Sequence, residues 1–119
     1  MATRAPTPHL GEFEQVLLFA LVRLRGEAHG VDVAEEIETR VGRRVSPGAL
    51  YTALERLERK GFVESWLGDS TPERGGRRRR CYRVRPAGAR ALRESYATLQ
   101  RMASGTTRRL DDLAEEPRS

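Results

Sequence analysis

The sequence predicts a mostly helical α+β fold, with three helices followed by two strands and a last, long helix. Three observations carry that prediction. Apolar residues recur at helical spacing as far as Gly61, alternate from Phe62 to Arg85, and return to helical spacing after Pro86. The stretch from Ser46 to Gly61 reads as one helix with both ends marked. Basic charge is concentrated in the middle of the chain: residues 40–90 hold fourteen Arg and Lys against five Asp and Glu, while residues 1–39 hold three against seven.

The 119 residues suffice for one domain with one modest core. Residues 1–9 are expected to be a flexible N-terminal arm, 10–85 the domain proper, 86–113 a terminal helix and 114–119 a disordered tail. The longest apolar run, Val16 to Val22, is far short of the roughly 20 residues that span a bilayer. No export pattern opens the chain, and a lone cysteine, Cys81, excludes an intrachain disulfide framework. The expectation is a cytoplasmic, reducing setting.

The first helix covers residues 11–25. Phe13, Val16, Leu17, Ala20, Leu21 and Leu24 form its apolar face, which Leu18, Phe19 and Val22 widen. A surface helix needs only about a third of its circumference apolar. This one is therefore expected to be covered on two sides, by its own core and by a second subunit. Gly26 ends it, and Ala28-His29-Gly30 reads as a short turn. In the second helix, about residues 31–41, Val33, Ala34, Ile37 and Val41 face inward and Glu35, Glu36 and Glu38 outward. Gly42 closes it and leads to the third helix. There Ser46 is an N-cap whose hydroxyl can accept a free first-turn N–H, and Pro47 stands where its missing N–H costs nothing. Ala49 leaves no capping box, and Gly61 stops the helix after Arg59 and Lys60, which suit its negative end. Leu50, Leu54 and Leu57 form the anchoring stripe; the other side shows Tyr51, Thr52, Glu55, Arg56 and Arg59, offering an aromatic ring, a hydroxyl and guanidinium groups. Two helices joined by a short glycine-started turn, the second with a basic outer side, match a helix-turn-helix. Such a helix taken alone is more often just a solvated surface, so the residues after Gly61 decide.

Phe62 to Leu67 reads as a strand, with Val63 and Leu67 on one face and Phe62 and Trp66 on the other. Residues 68–79 form a long turn, and Arg80 to Arg85 a second strand with Tyr82 and Val84 facing in. Four consecutive arginines, Arg77 to Arg80, stand where this hairpin leaves its tip, beside Arg74 and the free backbone of Gly75-Gly76. Arginines so presented suit phosphates or a minor groove. Pro86 opens the last helix, in which Leu92, Tyr96, Leu99, Ala103, Thr106, Leu110 and Leu113 recur at steps of four and three. This is a heptad seam with a weak centre at Ala103 and Thr106, and Gly105 is the place where it ends or kinks. A helix so long outruns a small domain and asks for a partner helix. The expected dimer interface is Phe19, Leu92, Tyr96, Leu99, Ala103, Thr106 and Leu110.

Together these elements spell a winged helix-turn-helix with a C-terminal dimerisation helix. The sequence resembles the PadR-like family of bacterial transcriptional regulators from about Leu10 to Leu92. The resemblance rests on Leu10 to Leu18 (LGEFEQVLL), Val45 to Gly61 (VSPGALYTALERLERKG), the wing from Pro72 to Arg83, and Pro86-Ala87-Gly88. It implies a dimeric, repressor-like protein on double-stranded DNA, with Ser46, Gly48, Tyr51 and Thr52 near the DNA and wing arginines on the backbone. Three positions depart from the family's habit: His29 for a tyrosine, Cys81 for an aromatic, and Arg85 for a threonine before Pro86.

The expected function is a sequence-specific regulator reading an inverted repeat as a homodimer. The candidate DNA-binding residues are Ser46, Pro47, Gly48, Tyr51, Thr52, Arg56, Arg74, Arg77, Arg78, Arg79 and Arg80. Catalysis is disfavoured: His9 and His29 form no nucleophile–base set with Cys81, and there is no phosphate-cradling loop and no Cys/His metal pattern. No metal or cofactor is expected. The sequence names no effector ligand; Phe19, Trp66 and Tyr96 read as core aromatics first and as walls of a cavity between subunits second. The alternative is a basic interaction protein that binds RNA or an acidic protein.

Overall fold

In the computed structural model, residues 10–26, 28–68 and 78–117 are described. The order is α1 (Glu12–Leu24), β1 (Ala28–His29), α2 (Gly30–Val41), α3 (Pro47–Arg59), β2 (Val63–Leu67), β3 (Arg80–Val84), α4 (Pro86–Ala103) and α5 (Thr107–Ala114). The three strands form one antiparallel sheet in the order β1-β3-β2. This is the expected winged helix-turn-helix with two additions.

The first is β1. Ala28 and His29, expected in a turn, instead pair with Tyr82 and Cys81 of β3. Two residues carry no readable alternation, so only the distant partner strand reveals them. The second is α5. The single helix expected from 86 to 113 is broken, because Gly105 adopts φ +79, a conformation other residues rarely tolerate. The Ser104 N–H closes α4 on the Gln100 carbonyl, and the Thr106 hydroxyl donates back to the Ala103 carbonyl at 2.6 Å. Thr106 is thus part of the break. The tail expected from residue 114 starts later: Ala114 is the last residue of α5, and the Glu115 N–H still reaches the Asp111 carbonyl.

The core is built where the helices cover the sheet. Leu17, Leu18 and Leu21 of α1, Val33 and Ile37 of α2, and Leu50, Leu54 and Leu57 of α3 meet Val63, Tyr82, Ala91 and Leu92. Leu92 is only 4 % exposed, so it belongs to its own chain's core and not to a dimer interface. The reason is the seating of α4, whose first turn lies directly on the start of β2. The Arg85 N–H donates to the Phe62 carbonyl at 2.8 Å, and a Cβ on the buried Gly88 would overlap that same peptide. Leu67 is 51 % exposed although it shares a face with the buried Val63, because β2 leaves the core as it runs toward the wing tip.

One ion pair ties the beginning of the domain to the end of α3. The Glu14 carboxylate accepts the Gly11 N–H at 3.1 Å, capping α1, and its other oxygen meets Lys60 Nζ at 2.9 Å. Burial works to raise the Glu14 pKa. The Lys60 hydrogen bond, the Gly11 N–H and the charges of Lys60 and Arg56 together outweigh it and hold the carboxyl below its ordinary value.

This packing has two measurable consequences. Gly88→Ala is expected to destabilise the fold by about 1–3 kcal/mol, since the obstructing atoms are backbone and cannot turn aside; urea unfolding checks it. Glu14 has a depressed folded pKa, so its stabilisation is present above the unfolded value and is lost as pH falls through the folded one. The stability gap between wild type and Glu14→Gln, followed by thermal unfolding, should therefore be full at neutral pH and close in acid.

Candidate nucleic-acid interface

The interface is built outward from the buried stripe of α3. Ser46 Oγ accepts the Ala49 N–H at 3.2 Å, as a simple N-cap should, and Pro47 opens the helix. Leu50, Ala53, Leu54 and Leu57 are buried. At about 100° per residue, the side opposite that stripe carries Gly48, Thr52, Glu55 and Arg59. All four are exposed, as are Ser46 and Pro47. Arg59, expected on the outer side of the helix but not among the expected DNA contacts, stands at the middle of that side.

The two flanks of α3 are different. On one, Arg56 and Lys60 face Glu14 of α1, so the Arg56 charge is shared with the body of the domain. On the other, Tyr51 is 46 % exposed and lies across Gly30, where an added Cβ would stand 2.7 Å from the ring carbon that bears the hydroxyl. Glycine at the first residue of α2 is therefore what allows the Tyr51 ring to lie flat at the edge of the outer face. His29, just before it, is engaged locally: its N–H and its Nδ1 both meet Asp32 Oδ2, at 3.0 and 3.1 Å.

The wing approaches α3 on the Tyr51 side. Ser65 faces Tyr82 across the ladder and Leu67 faces Arg80. Arg80 Nη1 donates to Ser65 Oγ at 3.0 Å, and the Ser65 hydroxyl donates to Glu58 in the last turn of α3. Burial pushes the Tyr82 phenol pKa up; the neighbouring Tyr51 and Glu58 add to this and Arg80 opposes it. Tyr51, Glu58, Arg80 and Tyr82 are thus close neighbours. On the other face of the hairpin, Arg83 pairs with Glu64 and lies 5.0 Å over the Trp66 ring. Within the chain Trp66 thus packs against Arg83 of the wing, whereas Phe19 and Tyr96 meet each other. Cys81 is packed at 1 % exposure, between His29 and Trp66 in the ladder. Arg78 and Arg79 are exposed and make no ion pair with another described residue. Arg74 and Arg77 lie outside the described residues.

A separate apolar face runs along the opposite elements. Phe19 of α1 meets Tyr96 of α4 edge-on, with ring centroids 5.5 Å apart. Both are exposed, as are Val22, Leu99, Met102, Leu110 and Leu113. Phe19 also walls a cleft of about 230 Å³ between α1 and α2, lined by Val16, Ala20, Ile37 and Val41. Among the described residues no group of His, Cys, Asp and Glu is arranged to hold a metal ion, and no helix is long and apolar enough to cross a membrane.

Comparison with known proteins matches this arrangement. The family model described as "Transcriptional regulator PadR-like family" covers residues 17–94. Transcriptional regulator Rv3488 of Mycobacterium tuberculosis is 43 % identical over 79 residues, which are 65 % of this chain and 67 % of that one. A PadR family transcription regulator from Clostridium difficile R20291 superposes with a TM-score of 0.69 at 21 % identity, over 84 % of this chain and 99 % of its own. Bacillus subtilis PadR, solved in complex with operator DNA, superposes with a TM-score of 0.59 at 18 % identity, over 69 % of this chain and 46 % of its own.

Proposed function

The chain belongs to the PadR-like family of transcriptional regulators, and we propose that it acts as a homodimeric repressor that binds double-stranded DNA at an inverted repeat. The observation that carries this reading is the outer side of α3. The fold leaves Gly48, Thr52, Glu55 and Arg59 unused, while the wing that carries the arginine run is tied to the same helix through Ser65 and Glu58. A capped helix N-terminus and exposed guanidinium groups on one side of a small domain suit a major groove flanked by phosphates. The operator complex of the Bacillus subtilis relative supports the same use of the fold.

In this reading Ser46, Pro47, Gly48, Tyr51 and Thr52 meet the groove edge, with Arg59 joining them. Arg78 and Arg79, with Arg74 and Arg77, hold the backbone. Arg56 stands at the α1 flank and serves as a phosphate contact there. Two copies related by a two-fold axis place their α3 helices about 34–36 Å apart, one turn of duplex. The pairing surface is the exposed apolar face of Phe19, Tyr96, Leu99, Ala103 and Leu110, with Met102 and Leu113 beside them.

A duplex carrying the DNA upstream of the protein's own gene is expected to be retarded in a gel at low salt. Affinity should fall steeply as salt rises, and the Arg78→Ala, Arg79→Ala double variant should weaken binding to all sequences alike and flatten the salt slope by about 0.9 per lost phosphate contact. A wild-type protein that ignores duplex sequence, or prefers single-stranded RNA, sinks the proposal. For the pairing surface, Leu99→Glu is expected to turn a dimer into a monomer in sedimentation velocity with helix content unchanged, because Leu99 is 61 % exposed in the single chain.

A further inference from the structure

Arg80 is the last of the arginine run, and its surroundings differ from those of its neighbours. Arg78 and Arg79 stand exposed with no ion-pair partner among the described residues, whereas Arg80 is engaged from the first residue of β3. Ser65 and Arg80 are diagonal neighbours on one face of the β2–β3 ladder, the face that also carries Tyr82. From there the guanidinium donates to Ser65 Oγ at 3.0 Å, and the Ser65 hydroxyl donates its own hydrogen to a Glu58 carboxylate oxygen. A hydroxyl has one hydrogen to give and lone pairs to accept with. Between a cation and an anion, Ser65 can orient in only this direction, and each end of the chain is charge-assisted.

We propose that Arg80 is a positioning residue and not a phosphate contact: with Ser65 and Glu58 it forms a brace that fixes the angle between the wing and α3. The inference rests on the DNA-binding reading above. Two surfaces that grip one duplex must arrive in register, and β1 holds β3 only at Tyr82 and Cys81, while the β2–β3 ladder runs on past it toward the wing tip. The brace stands on that outer part of the ladder, where Arg80 faces Leu67 in the last pair. Its far end, Glu58, lies two turns along α3 on the same flank as Tyr51, so it links the groove-facing edge to the backbone-facing arginines. Glu58 also offsets the Arg80 charge through Ser65, which makes Arg80 less available to a phosphate than Arg78 and Arg79.

The brace is tested by measuring binding to a duplex carrying the DNA upstream of the protein's own gene, across a salt series, for wild type and the variants R79A, R80A, S65A and E58A. The decisive variant is E58A. Removing a negative charge near DNA should tighten binding if Glu58 is only a surface carboxylate, but loosen it if Glu58 anchors the wing. The expected result is that R80A, S65A and E58A each weaken binding by about three- to tenfold. The double variant S65A/E58A should be no weaker than either single one, as for members of one network. R80A should keep the wild-type salt slope, while R79A lowers it by about 0.9. If R80A flattens the slope as R79A does, and S65A binds like wild type, Arg80 is a phosphate contact and the brace is overturned. S65A changes only a half-exposed hydroxyl and keeps the test sound should R80A fold poorly. Wild-type protein that fails to bind the duplex at low salt removes the functional reading and the brace with it; failure of the brace alone shows in the variants while wild type still binds.

Discussion

The burial of one side of α3 is the constraint on which the rest depends. Leu50, Ala53, Leu54 and Leu57 sit in the core formed with α1, α2 and the sheet, and four buried side chains leave the helix no freedom to roll about its axis. That fixes Gly48, Thr52, Glu55 and Arg59 as the outer side. It also fixes the two flanks, with Arg56 and Lys60 toward α1 and Tyr51 and Glu58 toward the sheet. The surface offered to a partner is thus a by-product of packing, set to within a fraction of a helical turn by apolar residues that never touch it.

The basic charge of the middle third is not spent uniformly. Lys60 is held by Glu14, Arg43 by Glu12, Arg80 by Ser65 and Glu58, and Arg83 by Glu64 and the Trp66 ring. These groups define how helix, wing and N-terminal helix are arranged. Exposed pairs of this kind contribute little stability each. Their value here is geometric, since they join elements whose mutual angle matters. Arg56, Arg59, Arg78 and Arg79 are exposed and make no ion pair with another described residue.

The apolar residues outside the core obey a different logic. Phe19 and Tyr96 cover each other partly, and the face continues through Leu99 and Met102 to α5, where every residue is exposed. An isolated helix of eight residues is marginal in water. Its Leu110 and Leu113 gain stability only when something covers them, and a second copy presenting the same face offers that cover. The break at Gly105 means that such a cover cannot be one continuous heptad seam. It must be two short surfaces set at an angle.

Much of the fold was legible in the residues alone. Caps, stop glycines and the change of apolar period are local signals, so Ser46, Pro47, Gly61 and Pro86 marked their helices, α1 to α3 and the wing strands stand within a few residues of expectation, and Gly105 marked the break after α4. The exposed side of α3 and the family came from the same local pattern. The tertiary structure decided what depends on distant neighbours. It brought Ala28 and His29 to β3, drew Leu92 into its own core under α1, laid Arg83 over the Trp66 ring, and linked Arg80 to Glu58 through Ser65. None of these has a sequence period, because periodicity reports how a segment repeats along itself. Which residue a side chain meets from another segment is set by strand register and helix rotation, and those exist only once the chain has closed around its core.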